Sequence, residues 1–390
     1  MRRFSLIFLF VAVALMAACD ITPLTSPLPT PEPQFHTMAP AYPGPAQGTD
    51  NVPIILPFRT YFPRILAQHT PSKLGWEAAS DGQALAARAA ILALSPGTVR
   101  TGIAWRNVEP VRGAGYIWSA SKDQHINLLA EGGNRIIGIL LWSPQWAVET
   151  PGCSPVAPAY YSDWLAFVRA AVERYGDRID VWEVQNEMDA PISPEDKGWG
   201  CAGKPWLADK GGTEWGKFVA MTADVIRAEQ PSATILSGGL LLGCDVAGQY
   251  GPCTGDSLTF FAAALPYMRD HIDGVGFHSY DYWTKSPPTN TASLDAKVVA
   301  LRKLTTLPLW LTEGGMLCHR TLDQFLCASQ EYEEAQADYI HLWGDSCRRL
   351  GLESCVHYSI TKNGWAWADC MNNATTPRLC YFALQDELRK

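Results

Sequence analysis

Two short apolar segments of the chain each end in a glutamate. One runs from Val181 to Glu187 (VWEVQNE), and the other runs from Pro308 to Glu313 (PLWLTE). Carboxyl groups at the ends of two buried strands can act together on a glycosidic bond, because one attacks the anomeric carbon while the other protonates the leaving oxygen. A single glutamate at a strand end is more often a solvated loop residue. The pair predicts Glu187 as the acid/base and Glu313 as the nucleophile of a retaining reaction.

The elements that must position these glutamates alternate along the folded region, with short β-rich runs followed by longer helical ones. Eight strands, each followed by a helix, are typical of β/α units that close as a TIM barrel. The predicted strands cover residues 74–77, 98–105, 135–142, 179–186, 233–237, 274–279, 307–312 and 354–359. The predicted helices cover residues 82–94, 120–131, 161–175, 214–229, 258–270, 291–304, 330–350 and 377–388.

Two alternatives to this fold stay open in the sequence. The first strand can instead lie at residues 64–68, with Trp76 in the loop that follows. A doubly wound sheet also alternates strands and helices, but it normally carries a Gly-rich phosphate turn after its first strand, and none follows Glu77. The barrel is favoured, and its chemistry belongs at the C-terminal ends of the strands. Glu187 and Glu313 directly follow the fourth and seventh predicted strands.

At these positions the chain resembles clan A of the glycoside hydrolases, the (β/α)₈ superfamily that includes cellulases, β-xylosidases and β-galactosidases. The clan's Asn-Glu pair at the end of strand 4 is matched by Asn186 and Glu187, and its nucleophile at the end of strand 7 is matched by Glu313. The resemblance covers roughly residues 74–388. It implies a retaining glycosidase in which Asn186 contacts a sugar hydroxyl beside the scissile bond.

The same resemblance implies supporting groups on two further strands. The clan tends to carry an arginine on strand 2 near the nucleophile, which Arg100 supplies, and a histidine and a tyrosine on strand 6, matched by His278 and Tyr280. His278 and Tyr280 share one face of the strand because side chains alternate. Arg100 can instead be the partner of Glu183, and His278 can be an ordinary core histidine.

The two catalytic carboxyls need different pKa values, since one must be ionised and the other protonated. Arg100 near Glu313 favours the charged form of that carboxyl, and the Tyr280 hydroxyl supports it. Glu187 is expected to hold its proton to higher pH because an anionic Glu313 lies beside it. When the glycosyl ester forms on Glu313 that charge disappears, so Glu187 can then act as the base toward water.

Aromatic side chains near the strand ends are candidate sugar platforms, because flat rings stack on the apolar faces of sugars. Trp142 and Trp146 follow strand 3, Trp283 follows strand 6, and Trp365 follows strand 8. Each of them can equally be loop packing. Many clan members end strand 8 with a tryptophan, whereas this chain has Tyr358 there and Trp365 later.

The N-terminal region lies outside the predicted barrel. Residues 1–19 pair two arginines with an apolar stretch and end in LMAAC, a pattern typical of a secretory signal whose Cys19 is lipidated. An ordinary secretory signal is the alternative. Residues 20–51 are crowded with Pro, Thr, Ser, Gly and Ala, which predicts a disordered tether. Residues 52–390 then form one TIM-barrel domain, exported and held at the cell surface by a lipid anchor.

The chain has eleven cysteines, and setting Cys19 aside leaves an even number in an exported chain, which predicts disulfides. They are expected in sequential pairs, although spacing does not settle connectivity. A metal site is disfavoured because the sequence has no Cys-x-x-Cys and no clustered His/Cys spacing, and no cofactor or metal is predicted. The expected pairs are Cys153–Cys201, Cys244–Cys253, Cys318–Cys327, Cys347–Cys355 and Cys370–Cys380.

Composition narrows the class of partner. A net charge of −8 disfavours binding to nucleic acid, whose phosphates attract basic proteins. The predicted partner is a carbohydrate, a β-glycan or oligosaccharide, and the predicted activity is hydrolysis of its β-glycosidic bonds. A non-catalytic carbohydrate-binding lipoprotein on the same barrel is the alternative. An importer's substrate-binding lipoprotein is disfavoured because such proteins usually have two α/β lobes. The sequence leaves open the sugar, endo or exo action, transglycosylation and oligomeric state.

Overall fold

A computed structural model describes most of the chain from residue 70 onward. The described residues are 70–78, 80–148, 155–189, 208–242 (with side chains from 211), 257–283, 288–318, 327–361 and 369–390. Several predictions lie outside these residues and stay predictions. They are the signal with Cys19, the tether at 20–51, the strand alternative at 64–68, Trp365, and the pairs Cys153–Cys201 and Cys244–Cys253.

Eight parallel strands form the central sheet of the described chain. They lie in the order β5-β4-β3-β2-β1-β8-β7-β6. Single-residue bridges join Leu236 to Gly274 and Leu240 to Phe277, so β5 also meets β6 and the sheet closes on itself. The predicted TIM barrel is therefore confirmed. The strands are β1 Leu74–Glu77, β2 Thr98–Ala104, β3 Arg135–Leu141, β4 Val181–Asn186, β5 Thr234–Gly239, β6 Val275–Trp283, β7 Leu309–Cys318 and β8 Ser354–Tyr358.

Helices follow the strands and cover the outside of the barrel. Among the described residues they are α1 Asp81–Ala86, α2 Arg88–Ala93, α3 Trp105–Val108, α4 Ala120–Glu131, α5 Tyr161–Tyr175, α6 Ala208–Glu229, α7 Ser257–Met268, α8 Ala292–Arg302, α9 Gln330–Arg349 and α10 Leu379–Leu388. The predicted helix at 82–94 is wrong in one respect, because it divides at Ala87, whose φ of −92° and ψ of 19° leave the helical region. The short α3 was not predicted. A two-stranded ribbon, β9 Met371–Asn373 with β10 Thr376–Pro377, precedes α10.

The barrel strands are apolar because both of their faces are buried. Inside the barrel a small cluster fills the lower interior, and a larger layer packs between strands and helices. Glycine is required where β1 meets β2, since a Cβ on Gly75 would lie 1.5 Å from the carbonyl oxygen of Thr98. The interior cluster consists of Ile137, Val181, Leu236, Trp310 and Val356.

The first strand lies at Leu74–Glu77, as the favoured prediction had it, and pairs with both β2 and β8. Strands β6 and β7 run further than predicted. The predicted ends were 279 and 312, but the two strands stay paired until Trp283 meets Cys318. The apolar pattern predicts earlier ends for these two strands because polar residues and glycines interrupt the apolar run. The backbone hydrogen bonds between β6 and β7 nevertheless continue above the barrel rim.

Three of the five predicted disulfides lie in the described chain, and all three are present. Cys318–Cys327, Cys347–Cys355 and Cys370–Cys380 have Cα–Cα distances of 5.7, 6.4 and 5.3 Å, which are ordinary for disulfides. Each closes a short loop of the C-terminal half. None of the described helices has both the length and the apolar character needed to cross a lipid bilayer.

Candidate active site

The barrel brings the two predicted catalytic glutamates together. Glu187 directly follows β4, and Glu313 lies within β7 opposite His278 of β6. One carboxylate oxygen from each glutamate and one ring nitrogen of His278 all lie within 4.8 Å of one another. Carboxyls about 5–5.5 Å apart suit direct attack on a sugar, whereas inverting enzymes leave about 6.5–9.5 Å for a water. The nearest oxygens of Glu187 and Glu313 are thus closer than the separation that an inverting reaction leaves for a water.

The same three groups are spaced as metal ligands could be, but they already have protein partners. Arg100 and Tyr280 donate to Glu313, and Nδ1 of His278 is shared with Glu187. A set of groups committed to each other in this way is better arranged for proton transfer than for holding a cation.

Unusual backbone geometry aims the residues at this end of the barrel. Trp142, Gln185, Glu187 and Leu242 have φ values of 56°, 67°, 49° and 49°, in the left-handed region that non-glycine residues seldom occupy. They cluster at the ends of β3, β4 and β5, and such strain persists only where surrounding structure holds it. Buried Asp189 provides one such support, because its carboxylate accepts a hydrogen bond from the backbone N–H of Leu242 at 3.0 Å.

Arg100 is the hub of the site. From β2 its guanidinium donates to Glu183 at 2.6 Å through Nε, to Asn186 at 2.7 Å through Nη2, and to Glu77 at 3.0 Å through Nη1. Nη1 also donates to Glu313. The sequence left two interpretations of Arg100 open, and its contacts satisfy both. The side chain pairs with Glu183 and also binds the predicted nucleophile, Glu313.

Asn186 lies between this hub and the cleft. Its amide oxygen accepts from Arg100, which fixes the orientation of the amide. In the described chain its Nδ2 has no hydrogen-bond partner, and the residue is partly exposed. The amide N–H groups are therefore available to a hydroxyl of a bound sugar.

The surroundings of Glu313 hold it ionised. Tyr280 donates to its Oε2 at 2.8 Å, and Nδ1 of His278 lies 3.6 Å from the same oxygen. Burial alone would raise the pKa of Glu313, but the charges of His278 and Arg100 and the Tyr280 hydrogen bond outweigh it and lower the pKa. A carboxylate that stays charged is suited to nucleophilic attack.

Glu187 has the opposite environment. Burial raises its pKa, and the nearby Glu313 adds to that, while the 2.7 Å hydrogen bond to Nδ1 of His278 only partly opposes it. His278 is fully buried; burial by itself would lower its pKa, but Glu313 and Glu187 together raise it. Gly239 of β5 leaves room for the imidazole, because a Cβ there would lie 2.1 Å from Nε2. The pKa values of the two glutamates are therefore pushed apart in the predicted directions.

A third carboxyl, Glu77 at the end of β1, was missed by the sequence reasoning. Its side chain is 14% exposed, close to the 13% of Glu187 and Glu313. Burial, with added repulsion from Glu313, raises its pKa to about 7 despite the opposing charge of Arg100. A signal was available, since Glu77 ends an apolar strand in the same way as the other two. The resemblance has no motif at this position.

The tryptophans that were candidate sugar platforms differ in how they pack. Trp142 at the end of β3 is half-buried and carries the guanidinium of Arg106 over its ring at 4.3 Å. Trp146 packs edge-on against Trp105 at 5.0 Å, within a cluster between the strands and α5. Trp283 is completely buried and packs edge-on against a tyrosine of α9, so its predicted role as an exposed sugar platform is corrected to a core role. The longer β6 is the reason, since Trp283 belongs to the strand instead of a loop.

Tyr358 ends β8 where the resemblance implies a tryptophan. It is partly exposed and packs with Tyr280, Tyr282 and Leu317 at the upper end of β6 and β7. It also pairs in register with Glu77 of β1. The aromatic residue at the end of strand 8 is therefore a tyrosine, next to Glu77 in the sheet.

Comparison with solved structures finds the same barrel fold in several glycoside hydrolases. No protein-family model and no curated protein sequence matches the chain. A family 39 glycoside hydrolase from Bacteroides cellulosilyticus WH2 superposes with a TM-score of 0.60 at 16% identity, over 81% of this chain and 63% of that one. This chain therefore spans less than two thirds of that protein.

Two other solved structures share the fold. A thermostable mutant of a xylanase from Cellvibrio japonicus has a TM-score of 0.59 at 14% identity, over 83% of this chain and 99% of that one. An exo-β-1,4-mannosidase from Opitutaceae bacterium strain TAV5 has a TM-score of 0.54 at 16% identity, over 82% of this chain and 59% of that one. At such identities the likeness establishes the barrel architecture.

Proposed function

We propose that this protein is a retaining O-glycoside hydrolase that cleaves β-glycosidic bonds of oligo- or polysaccharides. The observation that carries the proposal is the pair Glu187 and Glu313, whose carboxylate oxygens lie within 4.8 Å and whose pKa values move in opposite directions. The distance permits direct attack, and the pKa separation supplies one acid and one nucleophile at the same pH. Neither property is needed for sugar binding alone.

In the first step the carboxylate of Glu313 attacks the anomeric carbon. The glycosidic oxygen leaves with the electron pair of the broken bond and takes the proton of Glu187. The products are a glycosyl ester on Glu313 and an ionised Glu187. Arg100 and Tyr280 position the attacking carboxylate through their hydrogen bonds before the bond forms.

In the second step a water attacks the same carbon and gives its proton to Glu187, while Glu313 leaves as a carboxylate. Glu187 can act as the base because esterification removes the charge of Glu313, which had raised the pKa of Glu187. His278 contacts Glu187 at 2.7 Å and stays close to Glu313, so it supports the ionised form of whichever glutamate is charged. Two displacements restore the starting configuration.

Two related proposals concern the surroundings of the reaction. Asn186 is proposed to bind a sugar hydroxyl beside the scissile bond, with the ring of Trp142 on the β3 side of the cleft. The disulfides of the described chain support export to an oxidising compartment, and anchoring through Cys19 stays part of the proposal.

Hydrolysis of a panel of aryl β-glycosides and β-linked oligosaccharides tests the function. Wild-type protein is expected to release product whose first-formed anomer, followed by NMR, keeps the configuration of the substrate. Glu313→Ala should abolish release, and added azide should restore it as a glycosyl azide of inverted configuration. Tyr339→Phe, which removes a hydroxyl that binds Asp281 away from the two glutamates, is the matched control and should stay active.

The alternative is a carbohydrate-binding protein that uses the barrel without turnover. Retention of sugar on a glycan array, together with no release from any glycoside in the panel, would establish that alternative. Product of inverted configuration would overturn the mechanism while leaving hydrolysis in place.

A further inference from the structure

One arginine at the rim of the barrel has no part in the proposed chemistry. Arg106 lies on α3, just beyond the end of β2, and its side chain is exposed. The guanidinium carbon lies 4.3 Å from the centroid of the Trp142 ring, the shortest cation–π contact among the described residues. The backbone N–H of Arg106 also donates to the carbonyl oxygen of Trp142 at 2.9 Å. The two residues therefore form one fixed unit.

The side chain of Arg106 lacks a hydrogen-bond or ion-pair partner within the described residues. Every other arginine described there has at least one. Arg112 shows the contrast, because it also lies over aromatic rings but donates to Asp163. A guanidinium that stacks by its face keeps its N–H groups in the plane and free to bind. As far as the described residues go, Arg106 thus presents a set of donors that no other side chain uses.

The position of this unit relates it to the catalytic pair. Strand β3 lies between β2 and β4 in the sheet, and Arg106 and Glu187 come just after the ends of β2 and β4. Neighbouring strands are about 4.8 Å apart, so two spacings place the ends of β2 and β4 about 10 Å apart along the rim. That separation lies outside the bond-breaking centre but within reach of a neighbouring unit or branch of a bound glycan.

We propose that Arg106, held by Trp142, binds the carboxylate of an acidic sugar, a uronic acid carried by the β-glycan, in an outer subsite of the cleft. The planar fork of arginine matches a carboxylate in a bidentate way. The ionised Glu313 repels a carboxylate from the centre, so an acidic unit is better placed at the rim. The net charge of −8 favours a sparsely charged glycan over a polyanion. The inference rests on the proposed glycosidase function for its substrate class.

Sugar binding is the direct test, because it measures the contribution of Arg106 without requiring catalytic turnover. The Glu313→Gln chain is applied to an array of uronic-acid-substituted xylo-, gluco- and manno-oligosaccharides, each beside its carboxyl-reduced form. We expect about tenfold tighter binding to the acidic member of at least one pair, as a charge-assisted hydrogen bond at an exposed site can supply. Adding Arg106→Gln to the Glu313→Gln chain should remove the preference for acidic glycans and leave binding of the carboxyl-reduced forms unchanged. Arg106→Lys should restore only part of it, because lysine lacks the fork.

Arg112→Gln is the matched control and should keep the preference for acidic glycans. Equal binding to acidic and reduced forms, or a preference that survives Arg106→Gln, would overturn the inference. A merely structural role of the Arg106–Trp142 unit would weaken both forms equally and lower thermal stability, which also counts against it. If Arg106-dependent binding of acidic sugars appeared in a chain that hydrolysed nothing, the glycosidase proposal would fail and this one would stand.

Discussion

Removing the Arg100 guanidinium is expected to destabilise the barrel strongly. The side chain is 2% exposed and its partner Glu183 is fully buried, with 2.6 Å between Nε and the carboxylate. Arg100→Met leaves the Glu183 carboxylate inside the barrel with the Thr312 hydroxyl, at 2.7 Å, as its one remaining donor among the described side chains. Breaking a buried ion pair in this way costs about 3–5 kcal/mol of unfolding free energy. For a domain of this size that corresponds to a fall of roughly 4–8 °C in Tm.

The measurement is thermal unfolding followed by circular dichroism and calorimetry at fixed pH and salt. Arg227→Met is the matched control, since Arg227 and Asp273 are 2.7 Å apart but 39% and 43% exposed. A surface pair of this kind contributes about 0–1 kcal/mol, so that variant should unfold near the wild-type temperature. Glu183→Gln added to Arg100→Met removes the stranded charge and should recover part of the loss. A fall in Tm for Arg100→Met no larger than that of Arg227→Met would refute this account of the barrel interior.

Three further predictions concern activity. Glu77→Gln removes a carboxyl whose pKa is about 7, so the inflection of the wild-type kcat/KM near neutral pH should vanish in the variant. Superimposable pH profiles of kcat/KM for wild type and variant would contradict this. Tyr280→Phe removes a hydrogen bond that lowers the pKa of Glu313, so that pKa should rise. Because activity is lost as pH falls through the pKa of Glu313, the acid limb of the pH–activity profile should move to higher pH. A limb that moved to lower pH or stayed in place would count against the assignment. Gly239→Ala places a methyl 2.1 Å from the imidazole of the buried His278, so kcat should fall at least tenfold and the overpacking should lower the unfolding free energy by about 1–3 kcal/mol. Initial rates and calorimetry measure the two effects, and an unchanged kcat would show that the imidazole position is not critical.

The electrostatics of the site depend on one cation shared among several acids. Arg100 contacts Glu77, Glu183 and Glu313, and the buried His278 stands between Glu187 and Glu313. With so few positive groups, the carboxyls cannot all be ionised together at low energetic cost. The raised pKa values of Glu77 and Glu187 and the lowered pKa of Glu313 are the result. Differences in partner, more than in exposure, separate the roles, because the three side chains are exposed to nearly the same extent.

Much of the architecture could be read from local pattern. Strand β1, helix α4 and helix α5 have the predicted bounds, because apolar periodicity and terminal residues are local properties of the chain. The count of eight β/α units then implied the barrel, and the barrel placed the ends of strands 4 and 7 at one mouth. Errors appeared where ladder pairing continued beyond the apolar run, as in β6 and β7. Trp283 was misassigned for the same reason.

By itself, then, the sequence determined the strand-helix alternation and the two glutamates that end strands 4 and 7, since both follow from short-range pattern. Only the tertiary structure decided that Arg100 bridges Glu183 and Glu313, that Glu77 joins them, and that the Arg106 side chain stacks on Trp142 with no ion-pair partner among the described residues. These are contacts between side chains far apart in the chain, on strands whose neighbours are set by barrel closure. Distances and burial set the strength of charge interactions and hence the pKa values, and neither quantity is encoded in the order of residues along one strand.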